Sequence, residues 1–200
     1  MIAYQTVKTV AYPIFRQKIN SVTGLEHLPT TGSFLVAANH VDWLDGFYIA
    51  TTIGDARGVP VHFLTKSNNY WWTQVAIQIP SEKKDTVDVA VEALRDGKVI
   101  CNFPEGKRNA SDHLFIGKTG TVRIAALAGV PIIPLGIRAS SGKNMAQSIM
   151  YLLAKNHPVD IAIGAPIYVA LPPDGMTDEW LQQSTNSLMA TIAPLCNKLI

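Results

Sequence analysis

The sequence predicts an α/β domain in which helices flank a largely parallel central sheet. Short, uninterrupted apolar segments alternate with segments of helical periodicity along the 200 residues. Strands that are apolar on both faces are typical of parallel sheets covered by helices on each side. Of the residues, 48% are hydrophobic and 16% are charged. A chain of this length and composition can build one substantial core, and the composition excludes a disordered polypeptide.

Six segments are predicted to be strands, because each is a short apolar run of the length that strands usually have. In chain order they are Phe34–Ala38, Val61–Thr65, Val75–Ile79, Val99–Phe103, Ile132–Ile137 and Val159–Gly164.

Four further segments are predicted to be helices from the spacing of their apolar residues. They are Thr86–Asp96, Thr119–Ala128, Met145–Ala154 and Thr177–Ile200. The first has a candidate N-cap in Asp85 and a glycine, Gly97, where a helix commonly ends. Pro194 predicts a kink in the last.

The N-terminal 23 residues are predicted to form a separate segment with a short apolar helix, followed by one domain over residues 24–200. Lys8 and its polar neighbours interrupt the apolar run, so neither a signal peptide nor a spanning helix is expected. Pro13 predicts a kink or an interruption. The segment could lie on a membrane surface with its basic residues toward anionic headgroups, or it could pack as an arm on the domain.

The net charge of +2 excludes a nucleic-acid binder driven by bulk charge. The charge is unevenly distributed, however. Residues 1–25 carry three basic and no acidic side chains, and residues 107–143 carry six basic side chains and one acidic side chain. Such clusters on a weakly charged chain indicate an anionic and apolar partner, although chance clustering on a solvated surface remains an alternative.

The two cysteines, Cys101 and Cys196, lack the spacing of a metal site. Cys101 lies in a predicted buried strand, so we expect a buried, reduced thiol, as is common in the cytosol.

A histidine follows the first predicted strand, and in parallel sheets functional sites gather at the carboxyl ends of strands. In residues 39–45 (NHVDWLD), Asp45 is expected in the first turn of a helix, where its carboxylate could hold one imidazole nitrogen of His40. The other nitrogen could then take a proton from a hydroxyl. Asp42 is a second candidate for the same pairing. In isolation, this pattern also fits a histidine held by a local cap.

Two further motifs follow predicted secondary structure. In residues 103–108 (FPEGKR), Gly106 permits a tight turn, and Lys107 and Arg108 would present cations to an anion. Residues 129–134 (GVPIIP) end a helix and begin a strand. Each motif alone is also compatible with an ordinary surface turn.

Together, in this order and about 60 and 25 residues apart, the three motifs resemble those of the glycerolipid acyltransferase family, of the lysophosphatidic acid acyltransferase type. Residues 24–29 (GLEHLP), 116–120 (IGKTG) and 163–167 (IGAPI) are also similar to family segments. The resemblance extends from about Gly24 to Ile167 and implies a glycerol-phosphate acyltransferase-like fold.

The resemblance implies transfer of a fatty acyl group from an acyl-CoA or acyl carrier protein thioester to a hydroxyl of a lysophospholipid, in phospholipid biosynthesis. His40 would be the general base and Asp45 its orienting carboxylate, with neither a cofactor nor a metal. The implied substrate-binding residues are Asn39, Lys66, Glu105, Gly106, Lys107 and Arg108. The implied partners are the donor, the lipid acceptor and a membrane surface, without nucleic acid. The enzyme would be peripheral, on the cytoplasmic face of the membrane.

The chain also departs from the family pattern. Ser81 stands where the family has an arginine thought to hold the acceptor phosphate, and Lys83 or Lys84 could replace it. Asp42 stands in place of a serine-like residue. The alternatives are therefore the same chemistry on another lysolipid or a glycolipid, or a thioester hydrolase or lipid-binding module on the same scaffold.

Overall fold

The computed structural model describes residues 2–66, 77–79 and 85–200, and in this part of the chain seven strands form one sheet. They are β1 (Ile19–Thr23), β2 (Leu35–Ala38), β3 (Val61–Lys66), β4 (Ile77–Ile79), β5 (Val99–Asn102), β6 (Ile132–Arg138) and β7 (Val159–Ile163). The order across the sheet is β1-β7-β6-β2-β5-β3-β4. Neighbouring strands are parallel, except that β6 and β7 are antiparallel. The predicted fold class is confirmed.

The helices of the described residues lie between and after these strands. They are α1 (Ile2–Arg16), α2 (Asp45–Arg57), α3 (Asp85–Arg95), α4 (Gly120–Ala128), α5 (Met145–Leu153) and α6 (Asp178–Cys196). The four helices predicted from periodicity are present, although α6 ends before Ile200. Neither Pro13 nor Pro194 ends its helix, since both lie inside helices that continue beyond them.

Strand β2 lies at the centre of the sheet because its residues are apolar toward both faces. All four of them are buried, and β2 pairs with β5 on one side and with β6 on the other. Apolar side chains of α1 and α2, such as Phe15 and Ile49, belong to one core cluster. Those of α3, α4 and α6, such as Leu94 and Ile192, belong to a second. Burial of each such side chain contributes roughly 1.5–3 kcal/mol.

Strand β1 is not predicted from the sequence. Three of its five residues are polar, and it lies at the edge of the sheet, paired with β7 alone. Residues 19–23, which the sequence groups with the N-terminal segment, thus belong to the same sheet as the rest of the chain. Of the predicted strand Val75–Ile79, residues 77–79 form β4, and residues 75 and 76 lie outside the described residues, as do Ser81, Lys83 and Lys84.

Candidate active site

The site lies where β2 and β5 end. These strands are adjacent and parallel, so the loops that follow them, residues 39–44 and 103–108, leave the sheet at the same edge. His40 is half-buried in the first loop. Its imidazole stacks on the ring of Phe103, with the ring centroids 4.1 Å apart. The two motifs, separated by about 60 residues in the sequence, are therefore in direct contact.

Asp45 is the carboxylate that pairs with His40. Its Oδ2 lies 2.8 Å from Nδ1 of His40 and also accepts hydrogen bonds from the main-chain N–H groups of Val41 and Asp42, at 2.6 and 2.8 Å. Asp45 begins α2, as expected, and is fully buried. Burial raises the pKa of this carboxyl group above its usual value, while the contacts with His40 and the two amides act in the opposite direction. The arrangement fixes the histidine tautomer and leaves Nε2 as the nitrogen that can take a proton.

Asp42, the second candidate, faces away from His40 toward α5. One carboxylate oxygen accepts from the main-chain N–H of Leu44 at 3.0 Å. The other accepts from Oγ of Ser148 at 2.6 Å and from the N–H of Gly142 at 2.8 Å. Asp42 is also buried. The ambiguity between the two aspartates is thus resolved: Asp45 contacts the histidine, and Asp42 holds the His40 loop against α5.

Glu105 connects the second motif to the first through the protein interior. It is 3% exposed, and its Oε1 accepts from the main-chain N–H of His40 at 3.0 Å. Its Oε2 accepts from Nδ2 of Asn109 and from the N–H of Phe115. A carboxylate engaged by three internal donors positions the His40 loop. In the structure Glu105 therefore contacts protein groups, and the substrate contact implied by the resemblance stays a prediction.

Asn39, which the resemblance also implies to bind substrate, is likewise held by protein groups in the structure. Its side chain donates to the carbonyl of Ile137 and accepts from the N–H of the same residue, at 3.0 and 2.8 Å, and it is fully buried. It joins the ends of β2 and β6, and its implied substrate contact stays a prediction. Lys66 ends β3 at the same edge of the sheet, but its side chain lies outside the described residues.

Cationic side chains surround the turn at Gly106. The guanidinium of Arg108 lies 3.5 Å from the centre of the Trp43 ring, and Nζ of Lys107 lies 4.4 Å from that of Phe115. Gly106 has a φ of +71°, and a Cβ added there would lie 2.6 Å from Nζ of Lys118. The positive φ favours glycine at this turn, and the flexible end of the Lys118 side chain lies close to it. The predicted Gly106, Lys107 and Arg108 thus belong to the turn that His40 contacts through Phe103, and the two cations could bind an anionic group there.

Several contributors were not identified from the sequence. Trp43 stacks with Arg108, Phe103 covers one face of the imidazole, and Ser148 anchors Asp42. Trp43 is 41% exposed, and its position between His40 and Asp45 is the signal that the sequence offers. The pairing with Ser148 joins residues 106 positions apart, and no local pattern indicates it.

Residues 20–138 match the family model described as "Acyltransferase". The chain therefore belongs to the acyltransferase family and is an O-acyltransferase enzyme. Within this family it is similar to the 1-acyl-sn-glycerol-3-phosphate acyltransferases.

The relative from Bacillus subtilis is 26% identical over 185 residues, which covers 87% of this chain and 86% of the relative. A chloroplast 1-acyl-sn-glycerol-3-phosphate acyltransferase of Brassica napus is 28% identical over 78% of this chain and 46% of its own length. The fold matches the crystal structure of the 1-acyl-sn-glycerophosphate acyltransferase PlsC from Thermotoga maritima, with a TM-score of 0.62 at 20% identity. That match covers 93% of this chain and 76% of the other.

Proposed function

We propose that this enzyme transfers a fatty acyl group from a thioester, of coenzyme A or of an acyl carrier protein, to the free hydroxyl of a 1-acylglycerol-3-phosphate. The observation that carries the proposal is the His40–Asp45 pair at the carboxyl edge of the sheet, in contact with the turn that bears Lys107 and Arg108. The names of the relatives support the acceptor and a place in phospholipid synthesis.

The chemistry follows from the arrangement of the pair. Nε2 of His40 takes the proton of the acceptor hydroxyl as the oxygen attacks the thioester carbon. The new C–O bond forms, the C–S bond breaks, and the leaving thiolate recovers the proton from the imidazolium. The buried carboxylate of Asp45 stabilises that imidazolium while it exists. The step needs no covalent enzyme intermediate.

The cations near the turn support an acceptor that carries a phosphate, because they could bind that group. Arg108, stacked on Trp43, and Lys107, over Phe115, are each held by an aromatic ring. A guanidinium that is already positioned loses less side-chain entropy when it binds a phosphate. Another lysolipid with a phosphate would satisfy the same contacts, so a panel of acceptors is part of the test.

The test is steady-state transfer of a labelled acyl group from acyl-CoA and from acyl carrier protein to a panel of lysolipids. His40→Ala should lower kcat by roughly 10³-fold or more, and Asp45→Asn by roughly 10²- to 10⁴-fold. Asp42→Asn, at the second carboxylate of the loop, should lower kcat less than Asp45→Asn, because Asp42 positions the loop without contacting the imidazole. Activity of His40→Ala within tenfold of the wild type would refute the role of His40 as the general base. Thioester hydrolysis that is indifferent to every acceptor would point to a hydrolase instead.

We also propose a peripheral location on the cytoplasmic face of a membrane. None of the helices in the described ranges is both long and apolar enough to cross a bilayer. The inner face of α1 packs Tyr12 and Phe15 into the core, with Phe15 stacked 4.9 Å from Phe47. The outer face leaves Val10 and Ile14 exposed, a pattern that suits an interfacial helix. Cell fractionation should place the enzyme with membranes, and recovery in the soluble fraction at low salt would contradict this location.

A further inference from the structure

Helix α5 turns four of its apolar side chains outward, while Leu152 packs against the core. Met150 and Leu153 are 67% and 74% exposed, and Met145 and Ile149 are also exposed. The one buried residue of this helix is the polar Ser148. A surface helix of a soluble domain usually has the opposite arrangement, with its apolar stripe toward the core. Residues 145, 149 and 153 recur every four positions, so the exposed side chains form one continuous stripe.

The surroundings of this stripe are basic. Lys143 precedes α5 and Lys155 follows it, and both are exposed. The sequence contains neither aspartate nor glutamate between Arg138 and Asp160. A bilayer with anionic headgroups is apolar inside and negatively charged at its surface. An apolar stripe with cations at both ends complements both of these properties.

The stripe is continuous with the outer face of α1. Ile14 and Leu153 line the same open groove, with a volume of about 560 Å³, between the ends of the two helices. The ammonium group of Lys18, just after α1, donates to the carbonyl of Ala154, just after α5. The two helix ends are thus linked, and their exposed apolar side chains belong to one surface.

The same helix is hydrogen-bonded to the catalytic loop. Ser148 of α5 donates to Asp42, and Ser141 donates to the carbonyl of Val41 at 2.9 Å. Both acceptors lie between His40 and Asp45 in the sequence. A surface that binds α5 is therefore held close to the loop that carries the base.

We propose that the α5 face, formed by Met145, Ile149, Met150 and Leu153, docks on a lipid bilayer that contains anionic headgroups. This inference rests on the proposed function in one respect: the lipid acceptor would be taken from the docked bilayer. The apolar side chains enter the interface, and Lys143 and Lys155 contact the headgroups.

The experiment compares the double variant Met150→Ser/Leu153→Ser with a matched control, Tyr168→Ser/Leu171→Ser. The control pair is also apolar and exposed, at 78% and 51%, but lies in the segment after β7. Binding is measured by sedimentation with vesicles of phosphatidylcholine and phosphatidylglycerol, and folding by thermal unfolding. The α5 variant should bind roughly tenfold more weakly for each side chain that enters the interface. The control should bind like the wild type, and high salt should weaken wild-type binding.

Equal vesicle binding by the α5 variant and the wild type would overturn the proposal. So would a dimer of the lipid-free wild type that the same substitutions dissociate, since the face would then join two copies of the chain. Transfer to a short-chain, water-soluble acceptor is measured separately, without vesicles. If the wild type shows no transfer but the α5 substitutions weaken vesicle binding, the proposed function alone is refuted. If the wild type shows normal transfer and the α5 variant binds vesicles as the wild type does, the docking surface alone is refuted.

Discussion

Replacing Glu105 by glutamine tests whether this residue positions His40 or binds substrate. The substitution conserves the size of the side chain but exchanges one acceptor oxygen for an NH₂ donor. Because all three partners of the carboxylate are donors, the amide oxygen would best serve Asn109 and Phe115, and the NH₂ would face the main-chain N–H of His40. The His40 loop then loses its hydrogen bond to the Glu105 side chain, while the stacking of His40 on Phe103 remains.

The expected size of the effect follows from burial. A hydrogen bond to a charged group contributes about 1.5–3 kcal/mol, and a buried donor without an acceptor costs about 1–3 kcal/mol. Glu105→Gln should therefore lower the free energy of unfolding by about 2–4 kcal/mol. Displacement of His40 should lower kcat by roughly 10- to 100-fold, with little change in KM for the acceptor.

Denaturant unfolding followed by circular dichroism measures the first quantity, and acyl transfer at a temperature where the variant is folded measures the second. Glu26→Gln, at an exposed acid in the turn before β2, is the control for the charge change. Unchanged stability with an increased acceptor KM would refute the positioning role and restore the substrate contact implied by the resemblance.

Two further predictions concern the scaffold. Gly136→Ala should destabilise the protein by about 1–3 kcal/mol or more, because the added Cβ would lie 2.2–2.5 Å from the main chain of α6. The control is Gly120→Ala, where no atom lies within 4 Å of the added Cβ. In denaturant unfolding, this control should change the free energy of unfolding by less than about 0.5 kcal/mol. Equal effects would mean that α6 can move away from β6. Hydrogen bonds from Ser21 and Asn20 hold the pKa of Asp160 below its usual value. The ionised Asp160 therefore stabilises the folded protein above a pH of about 4, and this stabilisation is lost as the pH falls through the lower pKa of the folded state. The thermal stability of Asp160→Asn should therefore be below that of the wild type at pH 7 and approach it in acid, and a difference that does not vary with pH would exclude this linkage.

The parts of the fold that could be predicted are those specified locally. Strand β2 is an unbroken apolar run, and α3 has a regular apolar stripe that ends before Gly97. Strand β1 could not be predicted because its polar residues are stabilised by long-range pairing with β7 and by hydrogen bonds to Asp160. Pro13 does not interrupt α1 for a similar reason, since packing of Tyr12 and Phe15 into the core stabilises a helix that the proline alone would disfavour.

The candidate site shows the same division. The positions of His40 and the FPEGKR turn follow from two strand ends, which the sequence indicates clearly. The choice between Asp42 and Asp45 depends on Ser148, which comes from a helix more than 100 residues later in the chain. The resemblance implied substrate contacts for Asn39 and Glu105 because it identifies which residues a site requires. It does not indicate whether each one faces the ligand or the protein.

The packing of α1 bears on how the enzyme would approach the lipid acceptor proposed above. Tyr12 and Phe15 are part of the core, and Lys18 is bonded to the end of α5. The N-terminal helix is therefore a rigid part of the domain and not a tether from which the domain could swing. On the docked bilayer proposed above, the distance between His40 and a headgroup would therefore change by tilting of the whole enzyme or by vertical displacement of the lipid, and not by a swing about α1. Removing α1 would expose core side chains, so point substitutions on its outer face separate lipid contact from stability better than truncation does.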